Sequence, residues 1–131
     1  MLAANPDAQE KQMLKPVLVV LTLAQGGGTH LALTSAEDAE ECLAKADVVT
    51  QVLEGAGLTV IEARCAETAL NFTPYSHSAQ SGSHIHRWRV TLPETGAIIE
   101  PLAADDSCDP APDAVPAVHC ALSAQGIEQE G

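Results

Sequence analysis

Residues 17–23, VLVVLTL, form a run of large aliphatic side chains broken only by Thr22, and they restrict what the rest can fold into. The run falls short of the roughly 20 residues that cross a bilayer as a helix. Two readings follow from its neighbours. Starting at Met13, Lys15 supplies a charged leader region, residues 17–24 the apolar stretch, and Ala24-Gln25-Gly26 a small-x-small cleavage site, which is the pattern of a short secretory signal. Residues 1–12 then lie upstream of it. In the other reading the run is apolar on both alternating faces and forms a central strand. Gln25-Gly26-Gly27-Gly28 would then turn the chain into a second strand at 29–33. Residues 1–28 therefore stand as an N-terminal extension with a signal-like or strand-forming segment.

Whichever holds, the core has to be aliphatic. Hydrophobic residues make up 46% of the 131-residue chain but aromatics only 2%, namely Phe72, Tyr75 and Trp88. At about 25 cal/mol per Å² of buried apolar surface, an alanine-rich core of this size stabilises modestly and gains from cross-links. Four cysteines are present, Cys42, Cys65, Cys108 and Cys120, with no CxxC pair among them. A zinc ribbon or finger needs closely spaced pairs, so two disulfides in an exported protein are the expectation, with four inert thiols in a reducing cytoplasm as the alternative. The net charge of −12 repels a phosphate backbone and an anionic membrane surface alike. It leaves a protein partner as the expected one.

Periodicity places a helix at 34–54. Thr34 and Glu37 make a capping box, with Ser35 as a second cap candidate. Ala39, Cys42, Ala46, Val49 and Leu53 share a stripe, with Glu37, Glu40, Glu41 and Gln51 mainly across from it. Gly55 and Gly57 end it. A strand follows at 58–65, with Ile61, Ala63 and Cys65 on one face and Leu58, Val60, Glu62 and Arg64 on the other. Cys42 and Cys65 thus turn toward one helix–sheet interface, which predicts a Cys42–Cys65 bridge and leaves Cys108 to pair with Cys120. Periodicity is lost over 66–83. It returns at 86–92, and PETG followed by AIIE has the form of a hairpin. From Pro101 the composition shifts to Ala, Asp and Pro, with further prolines at 110, 112 and 116. This reads as an extended tail whose removal costs little stability.

The segment HSAQSGSHIHRWRV, 77–90, concentrates the chemistry. On a strand His84 and His86 share a face, and with His77 they make a candidate site for zinc or another divalent metal. Trp88, Val90 and Leu92 mark that same face as the core side, so histidines at the rim of the core, with no cofactor, are the expectation. Arg87 and Arg89 flanking Trp88 form a candidate partner-binding patch. The competing reading is a cross-strand salt bridge from an arginine to Glu62 or Glu100. Gly26-Gly27-Gly28 lacks the Lys-Ser/Thr of a phosphate loop, and Asp105, Asp106, Asp109 and Asp113 lack calcium-loop spacing. Ser76-His77 and His119-Cys120 are neighbours in sequence only, which says nothing of a nucleophile–base bond.

The expected architecture is α+β: one amphipathic helix on a small, mostly antiparallel sheet. Residues 29–102 make the core domain, and 103–131 an extended Pro/Ala/Asp-rich acidic tail of low order. The expected function is that of a non-catalytic accessory or interaction protein. It would be periplasmic or secreted, or belong to a larger assembly such as a particle or membrane complex with its N-terminus retained. A small metal-binding protein using His77, His84 and His86 is one alternative. A cytoplasmic thiol protein or small enzyme built on Cys120 or Cys65 is another.

Overall fold

A computed structural model describes residues 14–24, 27–73 and 86–126. In chain order the elements are β1 (Lys15–Leu23), β2 (Thr29–Ser35), α1 (Ala39–Gly55), β3 (Val60–Thr68), β4 (His86–Leu92), β5 (Ile98–Leu102) and β6 (Ala117–Ser123). The strands form one sheet in the order β3-β1-β2-β6-β4-β5. All neighbours are antiparallel except β2 and β6, which run parallel. The α+β expectation holds: one helix packs on a mostly antiparallel sheet.

The apolar run forms β1, a central strand of the sheet. Val17, Val19 and Leu21 of β1 point into one core with Leu31, Leu33, Trp88 and Val90. Leu18 and Val20 point the opposite way, into a second core beneath the helix. Gly27 and Gly28 turn the chain into β2 with φ of 96° and 85°, a conformation that costs glycine little. The first core draws on both ends of the sheet, from Ile61 and Ala66 of β3 to Ile99 of β5. The sheet therefore curls around its own apolar face.

The helix starts later than its candidate caps suggest. Thr34 and Ser35 are held in β2, opposite Leu18 and Val17. Asp38 is the N-cap, its carboxylate accepting from the Glu41 amide at 2.8 Å, and Glu41 reaches back to the Glu37 amide. At the far end Gly57 at φ 89° lets its own amide bond to the Glu54 carbonyl and that of Leu58 to the Leu53 carbonyl. That pair of bonds is a Schellman motif. Cys42, Ala46, Val49 and Leu53 face the sheet as the stripe requires, against Leu18, Val20, Ala63 and Cys65.

Both cysteine pairs stand at disulfide distance in the expected pairing. Cys42 and Cys65 are 5.9 Å apart Cα to Cα, and Cys108 and Cys120 6.1 Å, both within bridging range. One detail of β3 departs from simple alternation. The register against β1 slips between Leu21 and Thr22, which pair with Glu62 and Val60, so Ile61 has no partner opposite. This bulge turns Ile61 away from Ala63 and Cys65 and into the other core.

The C-terminal region is the main correction. Residues 103–116 do run as a loop, but the chain then enters the sheet as β6, between β2 and β4. Composition hid this strand because AVHCALS carries few large apolar side chains. Its place comes from pairing with β4 along its whole length, from His86–Ser123 to Leu92–Ala117. Beyond Ser123 the side chain of Gln125, fully buried, replaces a peptide group: Oε1 accepts from the Leu33 amide at 2.8 Å, and Nε2 donates to the Leu33 carbonyl at 2.9 Å and the Thr73 carbonyl at 2.8 Å. The Trp88 indole donates to the Gln125 carbonyl at 3.0 Å. Residues 127–131 of the proposed tail lie outside the described residues.

Ending the chain after Leu102 should therefore abolish cooperative urea unfolding followed by circular dichroism. A truncated chain that still unfolds cooperatively near the full-length midpoint would remove β6 from the sheet. Gln125→Ala should destabilise by about 3 kcal/mol, because it strands two buried backbone groups of Leu33, each worth about 1–3 kcal/mol when unpaired.

Candidate functional site

His86 opens β4 on the exposed surface, and its ring lies so close to Gly126 that a Cβ there would fall 2.7 Å from it. His77 and His84, the other members of the candidate metal set, lie outside the described residues. Trp88 is 1% exposed, so of the three residues proposed to bind a partner its indole belongs to the core. The two arginines face outward but are engaged by the β5–β6 loop. Arg87 donates to the carbonyls of Ala103 and Ala104 at 2.9 and 3.2 Å, and Arg89 to that of Ser107 at 2.9 Å. Arg89 also meets Glu100, its cross-strand partner, at 3.4 Å. Together with the Cys108–Cys120 bridge and the Ala111–Val118 backbone pair, they strap this loop onto the outer face of β4 and β6. The Arg–Trp–Arg pattern is thus a fastening.

The remaining cations are used in the same way. Lys15 bonds to Asn71 at 2.9 Å and sits 5.3 Å from the centre of the Phe72 ring, and Lys45 bonds to the Ser35 carbonyl at 3.0 Å. Arg64 bonds to the carbonyls of Pro93 and Gly96 and meets Glu62 at 3.4 Å. All five lysines and arginines among the described residues therefore bind the chain's own groups. The surface they leave is acidic.

Arg64 marks the most distinctive surface. The sheet ends in β3 on one side and β5 on the other, and β3 comes close to the β4–β5 turn without a strand partner on that side among the described residues. The Arg64 side chain crosses the gap to the β4–β5 turn, whose Gly96 has φ 74°. A cleft opens on each side of this strut. One, about 370 Å³, lies between Cys65, Ala66 and Glu67 of β3 and the hairpin residues Thr95, Gly96 and Ala97. The other, about 480 Å³, lies between Ile61 and Glu62 of β3, Leu92 and Glu94 of the hairpin, and the 112–117 loop with His119 behind it. Both are open to solvent, whereas a small-molecule pocket buries most of its ligand.

The edges differ in how they are guarded. β5 is five residues long and contains Pro101, both of which blunt an edge. β3 is nine residues long, contains no proline or lysine, and bears only the acids Glu62 and Glu67 beside Arg64. Strand alternation puts Arg64 on the face opposite Ala63 and Cys65 and by itself gives it no role. The long unguarded strand was a readable signal, but only knowledge of the strand order makes it an edge.

Among the described residues no group of three or more His, Cys, Asp or Glu side chains converges as a metal site, and no helix is long and apolar enough to cross a membrane. No protein-family model, curated protein or solved structure matches this chain.

Replacing the strut tests whether it holds the seam. Arg64→Met should cost about 1.5–3 kcal/mol, the range for hydrogen bonds made by a charged group. It should also speed amide hydrogen exchange at Thr95, Gly96 and Ala97 more than in β4. Unchanged exchange at the turn would show that Arg64 does not brace it.

Proposed function

We propose that this chain is a non-catalytic interaction protein of an oxidising compartment, periplasmic or secreted, acting as an accessory or as one part of a larger assembly. The observation that carries this reading is the β3 edge. A nine-residue strand with one side unpaired among the described residues offers a row of backbone donors and acceptors, and proteins that do not use such an edge normally blunt it. The residues that most often carry chemistry lean the same way. The arginines and the tryptophan hold loops and core together, and among the described residues no buried side-chain nitrogen or oxygen lacks a hydrogen-bond partner. The disulfides support the compartment, since such bridges persist outside the reducing cytoplasm and compensate small domains for a limited core. Charge supports a protein partner over nucleic acid, because a chain at −12 repels phosphates.

Two measurements test the two halves of this reading. Thiol titration of natively isolated protein, denatured without reductant, should find no free thiol. Reduction should then lower stability by about 3 kcal/mol per bridge on chain-entropy grounds, with Cys42→Ala reproducing the share of its own bridge. Free thiols with no effect of reductant would place the protein in a reducing compartment. Photo-reactive residues at Glu67, Val48 and Leu122, all exposed, should form a discrete adduct in the native host from at least one position. Absence of an adduct from all of them would remove the interaction reading.

A further inference from the structure

We infer that the seam between β3 and the β4–β5 hairpin is a docking groove for an extended protein segment that alternates apolar and basic side chains and adds to the edge of β3. This rests on the reading of the chain as an interaction protein and specifies its surface and the chemistry of its partner. The backbone edge supplies hydrogen bonds to any extended chain, so side chains have to set the choice. Within the seam two kinds of side chain are available. Ala66 and Ala97 in one cleft, and Ile61 and Leu92 in the other, offer apolar contact. Glu67 borders the first cleft and Glu62 and Glu94 the second. The one cation there among the described residues, Arg64, is taken up by two carbonyls and Glu62, so the exposed charge that the described residues give the seam is that of Glu67 and Glu94.

Successive side chains of a strand point to opposite faces, so an alternating segment can set one series into the clefts and present the other to these carboxylates. β3 lines the clefts from Ile61 to Glu67, a stretch matched by about seven residues of partner, or roughly 23 Å of extended chain. Charge excludes the nearer occupants. A second copy brings another −12, and residues 1–13 and 127–131 are themselves acidic, with Asp7 and Glu10 against Lys11 in the first and Glu128 and Glu130 in the second. Residues 74–85 contain no lysine or arginine. A basic segment from another protein is the occupant that fits.

The test uses the oxidised full-length chain and a synthetic peptide, (Lys-Val)4, followed by amide chemical shifts and hydrogen exchange. Without peptide, alternate amides of β3 should exchange quickly; protection of the entire strand would mean that the seam is already filled, and would overturn the proposal. With peptide, shift changes and new protection should be confined to residues 60–68 and 93–98. Affinity should fall as salt rises from about 50 to about 500 mM, as for partly exposed charges. The exposed double variant Glu67→Lys, Glu94→Lys should keep the wild-type melting temperature and weaken binding about tenfold through like-charge repulsion. Shift changes elsewhere, or equal binding of (Glu-Val)4, would overturn the groove. Failure of the peptide alongside a native adduct from Val48 or Leu122 alone would sink the seam and leave the interaction protein standing. Absence of every adduct would sink the broader reading instead.

Discussion

The burial of β1 on both faces is the constraint on which the rest of this structure depends. Val17, Val19 and Leu21 fill the interior of the curled sheet, while Leu18 and Val20 need a cover on its outer side. α1 supplies the cover, but with a narrow stripe of small residues: Cys42, Ala46, Val49 and Leu53. Leu43, Val48 and Val52 on its flanks remain more than half exposed. A helix held by so little apolar area gains from a covalent tie, and Cys42–Cys65 ties it to the strand paired with β1. The bridge is therefore part of the second core and not an ornament on a finished fold.

The same logic explains what could be read from the chain alone. Helical and strand periodicities are local, so α1, the β4–β5 hairpin and the meeting of Cys42 with Cys65 were legible. The start of α1 was less so, because Thr34, Ser35 and Asp38 are all good caps and only the pairing of Thr34 with Leu18 assigns the first two to β2. The bulge at Ile61 belongs to the register between two strands, which neither strand encodes by itself. β6 was the hardest. Its alanines, histidine and cysteine suit a strand only where two neighbours already supply the hydrogen bonds, and Gln125 closes the ladder with a side chain no backbone pattern announces.

The outward side chains of β4 needed tertiary information for a related reason. Arg87, Trp88 and Arg89 combine residue types common at interfaces, yet their partners lie within the chain, at carbonyls of the loop before β6 and at Gln125. A loop rich in proline and aspartate has few means of packing on a sheet. Arginine forks aimed at its carbonyls, with a disulfide at Cys108, fasten it without an apolar contact. The alternation that turns Trp88 inward turns both arginines outward, so one strand holds the core and the strap together.

Arg64 brings these themes to the seam. A sheet of this size can curl until its ends meet and then pair them, which removes both edges at once. Here β3 nears the β4–β5 turn without pairing among the described residues, and a single guanidinium crosses between them. The arrangement braces β3 against the turn while leaving its outer side without a strand partner among the described residues. Such an edge invites self-association, and the chain counters it with charge: every described cation is engaged internally, and the acids left at the rim face any second copy with like charge. Repulsion between copies and attraction for a basic strand are one property of the same carboxylates. If the edge takes a basic strand as proposed, the acidity that opposes pairing between copies also favours that partner.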